Sequence, residues 1–362
     1  MQVIYQWLKR TFSDPQLVVL LSLLLGGFII IVTMGNMLAP VLASIVIAYL
    51  LEGLVAPLQR MGVPRMLAVI VVFILFLIAL GLILFGLLPL LSRQVTQLVQ
   101  QLPNMLAEGQ QALMMLPEKY PELITADQVQ EVIATIGGEA GNIGQKVLSW
   151  SLASVVGVIT LLVYLVLMPL LVFFFLKDKR LILNWFTSAL PQDRKIALHV
   201  WREVDGQISN YVRGKFWEII IVWSASYVTF TLLGLQYAML LGVLVGLSVI
   251  IPYIGATVVT FPVLVVGWFQ WGWTADFGWL ALAYFIIQAL DGNVLVPLLF
   301  SEVVSLHPIA IIVAILVFGG FWGFWGVFFA IPLATLVNAV IQAWPSRAEL
   351  DSRVEQNQAA AS

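Results

Sequence analysis

The sequence predicts an all-α, polytopic helical membrane protein of about eight membrane segments, two of them re-entrant or broken helical hairpins. Three observations carry this expectation. Of 362 residues, 61% are hydrophobic and 10% charged, with a mean hydropathy of +1.02, whereas a soluble domain carries about 25% charged residues. Apolar runs long enough for a bilayer alternate with short polar stretches. Two further runs, 238–271 and 309–344, hold no charge, and each is interrupted by glycine or proline. As one helix the second would extend about 54 Å at 1.5 Å per residue, against roughly 30 Å of hydrocarbon.

Residues 1–91 form the first unit, three transmembrane helices. Lys9 and Arg10 precede a span over Leu17 to Met34, with Asp14-Pro15 as its N-cap and first helical residue. No small-residue cleavage site follows that run, so no cleavable signal is expected. Gly35-Asn36 reads as a tight turn into a second run, Met37 to Leu51. Arg60 and Arg65 flank the Gly62-Val63-Pro64 turn before a third span, Met66 to Leu91.

Residues 92–148 are a different material, an amphipathic helical subdomain. Val95, Leu98, Val99, Leu102, Met105 and Leu106 recur at helical spacing and continue the third span outward. Thr125 with Gln128 opens a second short helix over 127–136. Residues 149–176 hold a fourth span, kinked at Pro169. Residues 177–215 carry eight Lys/Arg and four acids, with Ile196, Val200, Val204, Ile208 and Tyr211 on one face, as amphipathic helices at a membrane surface do.

The distribution of basic residues orients the chain. A cytoplasmic N-terminus places 52–65 and 177–215 inside and 92–148 in the periplasm. Fourteen of the 17 Lys/Arg then fall inside and only Arg93, Lys119 and Lys146 outside. Residues 216–345 are the expected transport core, with no basic residue at all. A fifth span, Phe216 to Gly234, leads out. A hairpin over 238–271, turning at Pro252 and Gly255, dips from outside. Leu280 to Pro297 crosses back, and a second hairpin over 309–344 dips from inside, turning at Gly319, Gly320, Gly323 and Gly326. Two ordinary short spans remain the alternative for 238–271. The basic tail, 346–362, then ends in the cytoplasm. Trp268, Trp271, Trp273 and Trp279 suit an interfacial belt, and the aromatics of 319–326 suit packing or a gate.

Asp291 is the sharpest candidate residue, a lone carboxylate two-thirds of the way along an apolar span, where burial costs on the order of 3 kcal/mol. Gln288 shares its face at i, i+3. Gly292 loosens the helix ahead of Pro297, so Asn293 and freed carbonyls join a set of oxygen ligands suited to a proton, a hard cation or a hydroxylated solute. The alternative is an Asp near an interfacial helix cap. Glu302 and His307 are read either as a proton relay or as interfacial residues, with Ser305 or His307 capping the helix from Pro308. Glu218 beside Lys215 reads as an interface ion pair.

Enzyme chemistry is not expected. There is no cysteine, so no thiolate metal site or Cys nucleophile exists. The two histidines, His199 and His307, form no His-Glu-x-x-His motif, and no phosphate-binding loop is present. No cofactor is expected. A net charge of −2 gives no sign of a nucleic-acid partner, and none is expected.

Gln288, Asp291, Gly292, Asn293, Leu295 and Pro297, followed by Leu306-His307-Pro308 and Ile331-Pro332-Leu333, resemble the autoinducer-2 exporter family of bacterial permeases. Ile251-Pro252-Tyr253-Ile254-Gly255 and Asn210-Tyr211 with Arg213-Gly214 carry the same likeness, which runs from Phe12 to Pro345. Glu302 departs from the family pattern, where many relatives carry glycine. The resemblance implies an inner-membrane exporter of a small solute, such as autoinducer-2, or a sodium/proton antiporter. It also implies a homo-oligomer, a pentamer. The expectation is therefore a proton- or sodium-coupled secondary transporter in the lipid bilayer, with a passive oligomeric pore and a non-transport scaffold as alternatives.

Overall fold

The computed structural model describes residues 15–115, 155–188, 195–300 and 307–342, together with 117, 129–130 and 133–134. Among these every regular element is helical. The long helices are α1 (Pro15–Arg60), α2 (Arg65–Leu82), α3 (Leu88–Met114), α4 (Val155–Lys177) and α6 (Lys195–Leu232), with the short α5 (Lys179–Ser188) between the last two. Then follow α7 (Ala238–Ser248), α8 (Ile254–Trp271), α9 (Ala275–Leu290), α10 (Val296–Phe300), α11 (Pro308–Phe328) and α12 (Ala330–Gln342). Among the described residues five stretches are long and apolar enough to cross a membrane: Met37–Arg60, Arg65–Gln111, Ile254–Trp271, Ala275–Phe300 and Pro308–Phe328. Three shorter apolar helices, Val163–Lys177, Ala238–Ser248 and Ala330–Val340, accompany them. The chain is an all-α, multi-pass membrane protein.

Two expected boundaries are not there. The hairpin at Gly35-Asn36 does not form, because α1 continues through it for 46 residues, a rod of about 69 Å. Glycine lowers helix propensity without ending a helix, and Gly35 is used for contact instead. A Cβ there would lie 2.1 Å from Nε1 of Trp322, so the missing side chain seats the indole. With that hairpin gone, the charge argument for a cytoplasmic N-terminus loses its geometric support. Likewise the polar stretch ending at Lys215 and the expected span from Phe216 are halves of one helix, α6. No proline interrupts it, and Gly234 (φ 74°) ends it.

Other expectations meet the structure more closely. Residues 65–114 form one continuous rod, in which a π-helical turn, Ile83–Leu87, joins α2 to α3. Pro169 lies inside α4. Trp268, Trp273 and Phe277 cluster edge-to-face at the turn between α8 and α9. The expected helix over 127–136 is described only at four helical residues, and Thr125, Ser305, Glu302 and the tail 346–362 lie outside the described residues.

Helix α6 organises the packing. Its C-terminal half contributes Val222 and Phe230 to a buried cluster with Leu241 and Val245 of α7, Val263 of α8, and Leu280 and Tyr284 of α9. Its N-terminal half places Tyr211 and Val212 in a second cluster with Phe300, Ile311, Ile315 and Ile331. A third cluster joins α1, α2 and α4 through Val55, Val69 and Val172. Arg65 donates to Leu176 O at 2.7 Å and pairs with Glu52 at 3.2 Å. The 60–65 turn and the end of α4 therefore share one end of the molecule. Leu240 N donates to Gln94 Oε1 at 2.8 Å, about 29 residues up the α2–α3 rod from Arg65, so the first hairpin starts at the opposite end. Helix α11 runs the other way, from Ile311 and Ile315 in the cluster that takes in Val46 and Leu50 to Trp322 at Gly35.

Candidate functional site

Each hairpin reverses on a backbone that only a bare or strained residue permits. Between α7 and α8, Tyr253 has φ 64° and Gly255 follows. A Cβ on Gly255 would stand 1.8 Å from Ser248 O. In the second hairpin the break is a kink inside α11, at Gly323 (φ 58°, ψ −134°), a region essentially closed to other residues. A Cβ on Gly326 would stand 1.8 Å from Phe318 O. The two turns thus use one device, a glycine pressed against a carbonyl seven or eight residues back. Gly319 and Gly320 stay helical, so of the four expected hinge glycines only Gly323 bends and only Gly326 makes the close approach. The aromatics of the second turn pack on one another, with Phe329 stacked against Trp322 and Trp325 at 6.1 Å each.

Both turns meet the same stretch of α6. Lys215 Nζ donates to Val249 O in the first turn at 2.7 Å, and Tyr211 OH donates to Phe328 O in the second at 3.2 Å. Tyr211, Lys215 and Glu218 lie one helical turn apart on one face. Lys215 Nζ also donates to Glu218 Oε2 at 2.7 Å and sits 5.2 Å from the Phe300 ring centre. Both partners are almost fully buried. The expected interface pair is thus an interior one. The i, i+3 spacing was visible in sequence, but its depth was hidden because α6 was read as two elements.

A cavity of about 680 Å³ opens here, between α6, the α9–α10 segment, the first turn and the first residues of α11 and α12. Its lining brings together Gln288, Asp291 and Pro297 with Lys215, Glu218 and Pro252. Asp291 is the first residue of a π-helical turn, Asp291–Leu295, closed by Val296 N donating to Asp291 O. Such turns widen a helix by one residue and recur at functional sites. Asp291 Oδ1 is buried and accepts no hydrogen bond from any described group. Gln288 Nε2 donates to Tyr284 OH at 3.0 Å, and Tyr284 is in turn 2.9 Å from Thr260 Oγ1. That chain fixes the amide.

Asn293 is elsewhere. It is exposed, and its Nδ2 donates to Ala289 O at 2.8 Å, satisfying a carbonyl beside the π turn. Gly255 and the four glycines of the second turn do not line the cavity. His307 caps α11, its Nδ1 accepting from Ile309 N at 3.3 Å, and Glu302 is outside the described residues. Among the described residues no group of acids and histidines is arranged to hold a metal ion.

The profile described as AI-2E family transporter matches residues 17–346. PerM of Escherichia coli (strain K12), provisionally named a permease, is 48% identical over 345 residues, covering 95% of this chain and 98% of that protein. YueF of Bacillus subtilis (strain 168), provisionally named a transport protein, is 26% identical over 315 residues, 85% of this chain and 84% of its own. YrrI of the same organism, named likewise, is 25% identical over 306 residues, 83% and 85% of the two chains.

Proposed function

This chain belongs to the AI-2E family of transporters, and from that premise we propose that it is a secondary transporter moving a small solute through the cavity beside α6. The carrying observation is the half-buried Asp291, whose Oδ1 is buried and accepts no hydrogen bond from any described group, in a chamber whose other charges already pair with each other. A volume of about 680 Å³ lies within the roughly 300–1,000 Å³ of small-molecule sites. Autoinducer-2, the solute in the family name, is of that class.

Asp291 and Glu218 carry two negative charges against the one positive charge of Lys215. A proton or a sodium ion on Asp291 balances the chamber. A deep, unneutralised carboxylate is unfavourable, so ion occupancy and solute passage are linked. Lys215 is the internal counter-ion, held to the first turn by Val249 O. Loading or emptying Asp291 changes how strongly it is drawn from Glu218, and so how firmly α6 grips that turn. Opposed broken hairpins around a central site are the arrangement by which carriers exchange access.

The bases Arg60, Arg65, Lys177, Lys179 and Arg180 support a cytoplasmic reading of the face that bears them, in a bacterial inner membrane. The working unit is a homo-oligomer, a pentamer by family likeness.

The test is solute flux in proteoliposomes with pH and sodium gradients imposed separately. Asp291→Asn is expected to insert and assemble normally while gradient-driven flux falls to background. Undiminished flux in that variant removes Asp291 from the mechanism. Flux indifferent to both gradients, with single-channel conductance, marks a passive pore.

A further inference from the structure

A second cavity, away from the transport chamber, lies where α1, α4, α5 and α6 meet. It measures about 210 Å³, below the roughly 300 Å³ at which sites for compact small molecules begin. Its occupant must leave most of itself outside. Ile45, Ala48, Phe175, Leu176, Ile182 and Leu183 supply apolar lining. The polar groups on it are already engaged: Tyr49 OH donates to Asp205, and Glu52 pairs with Lys179 at 3.6 Å and Arg65 at 3.2 Å. Nothing in it calls for a polar ligand body. It calls for a hydrocarbon chain.

The surroundings say what is attached to that chain. Lys177, Lys179 and Arg180 stand within four residues beside the cavity, with Arg65 bonded to Leu176 O. Among the described residues Asp178, Glu52 and Asp205, the acceptor of the Tyr49 bond, oppose them. On α5, Leu181 is 71% exposed, an apolar side chain that suits a lipid surround. Trp201 lines the cavity and is half exposed. Tryptophans and bases at the end of a spanning helix mark headgroup depth.

We propose that this cavity is a binding site for an anionic phospholipid of the surrounding leaflet. One acyl chain fills the space between α1 and α5, and the phosphate lies on Lys179 and Arg180. The site bears on α6 through the Tyr49–Asp205 bond, ten residues before Lys215 on the same helix. It does not depend on the transport reading, and a chain that moved no solute would still show it.

The experiment places the full chain in nanodiscs of phosphatidylglycerol and phosphatidylcholine. A tracer of one lipid or the other carries a diazirine at the end of one acyl chain, and the cross-linked residues are mapped after digestion. The phosphatidylglycerol tracer is expected to label residues 45–52 and 182–183 about fivefold more than the phosphatidylcholine tracer does. Leu183→Trp, which fills the space, should suppress that label while the exposed Leu75 and Ile78 of α2 stay labelled as before. Arg180→Gln, a change at an exposed side chain, should cut the preference between lipids several-fold without removing the label, which keeps the proposal testable if Leu183→Trp does not fold. Equal labelling by the two tracers, or labelling of the cavity no stronger than that of Leu75 and Ile78, overturns it.

Discussion

Lys215 and Glu218 show how much a single pair can be worth and how little of that is net stability. Burying both charges is costly, and their attraction returns roughly that cost. Removing one partner strands the other. Lys215→Met is therefore expected to lower unfolding free energy by about 3 kcal/mol or more, read as a drop in melting temperature in detergent. The double variant Lys215→Met with Glu218→Leu should regain most of that loss while flux stays abolished. A double variant as unstable as the single one would show that Lys215 acts chiefly through Val249 O and not through Glu218. Asn293→Ala makes a useful contrast. It frees one carbonyl at a surface-facing π turn, so a cost of about 1 kcal/mol and near-normal flux are expected. Asp291 was legible in the sequence because a lone acid in an apolar run has few structural excuses. Asn293 was placed beside it by adjacency along the chain, but the widened turn rotates it outward. That rotation depends on which hydrogen bond the backbone skips, and residue spacing does not encode it.

At the scale of elements, the two hairpin turns are testable against each other. Gly255→Ala and Gly326→Ala each drive a methyl group into a backbone carbonyl that has no rotamer to yield. Each should cost roughly 3 kcal/mol and broaden or abolish thermal unfolding. Gly320→Ala, in the same glycine-rich segment with open space around it, should be neutral or slightly stabilising. Equal effects at positions 320 and 326 would mean that the turn is not built on that close approach. The sequence showed that these runs must break, because an uncharged helix of twice the bilayer thickness has nowhere to go. It did not show which glycine bends. Four glycines offer the same freedom; the close approach to Phe318 singles out Gly326, and Gly323 is singled out by its backbone angles alone. Gly35 is the converse: its contact with Trp322 spans nearly the whole chain, so local sequence made a turn of what is a seat for an indole.

Over the whole molecule, charge and hydropathy carried the class and most of the spans, since both are summed over many residues and tolerate local error. The extents of α1 and α6 were misjudged for different reasons: α1 carries Gly35, Pro40 and Pro57 inside the helix without ending at any of them, and α6 passes from polar to apolar composition with no proline to mark a boundary. The absence of native cysteine makes orientation directly measurable by single-cysteine labelling in intact cells. Met61→Cys, in the exposed 60–65 turn, should resist a membrane-impermeant maleimide, and Trp273→Cys, at the exposed turn between α8 and α9, should react. The reverse pattern would invert the assigned faces and leave the fold untouched.

The spacing of Lys215 and Glu218 also bears on how the protein is made. Because the partners are three residues apart, they can neutralise one another as soon as that turn of helix exists, before any neighbour arrives. The segment can thus leave the insertion machinery as a nearly neutral unit. Asp291 has no companion in its own helix and gains one only from α6. Biogenesis consequently has a natural sequence, with the self-compensated helix entering the bilayer first and the later carboxylate admitted into surroundings already prepared for it.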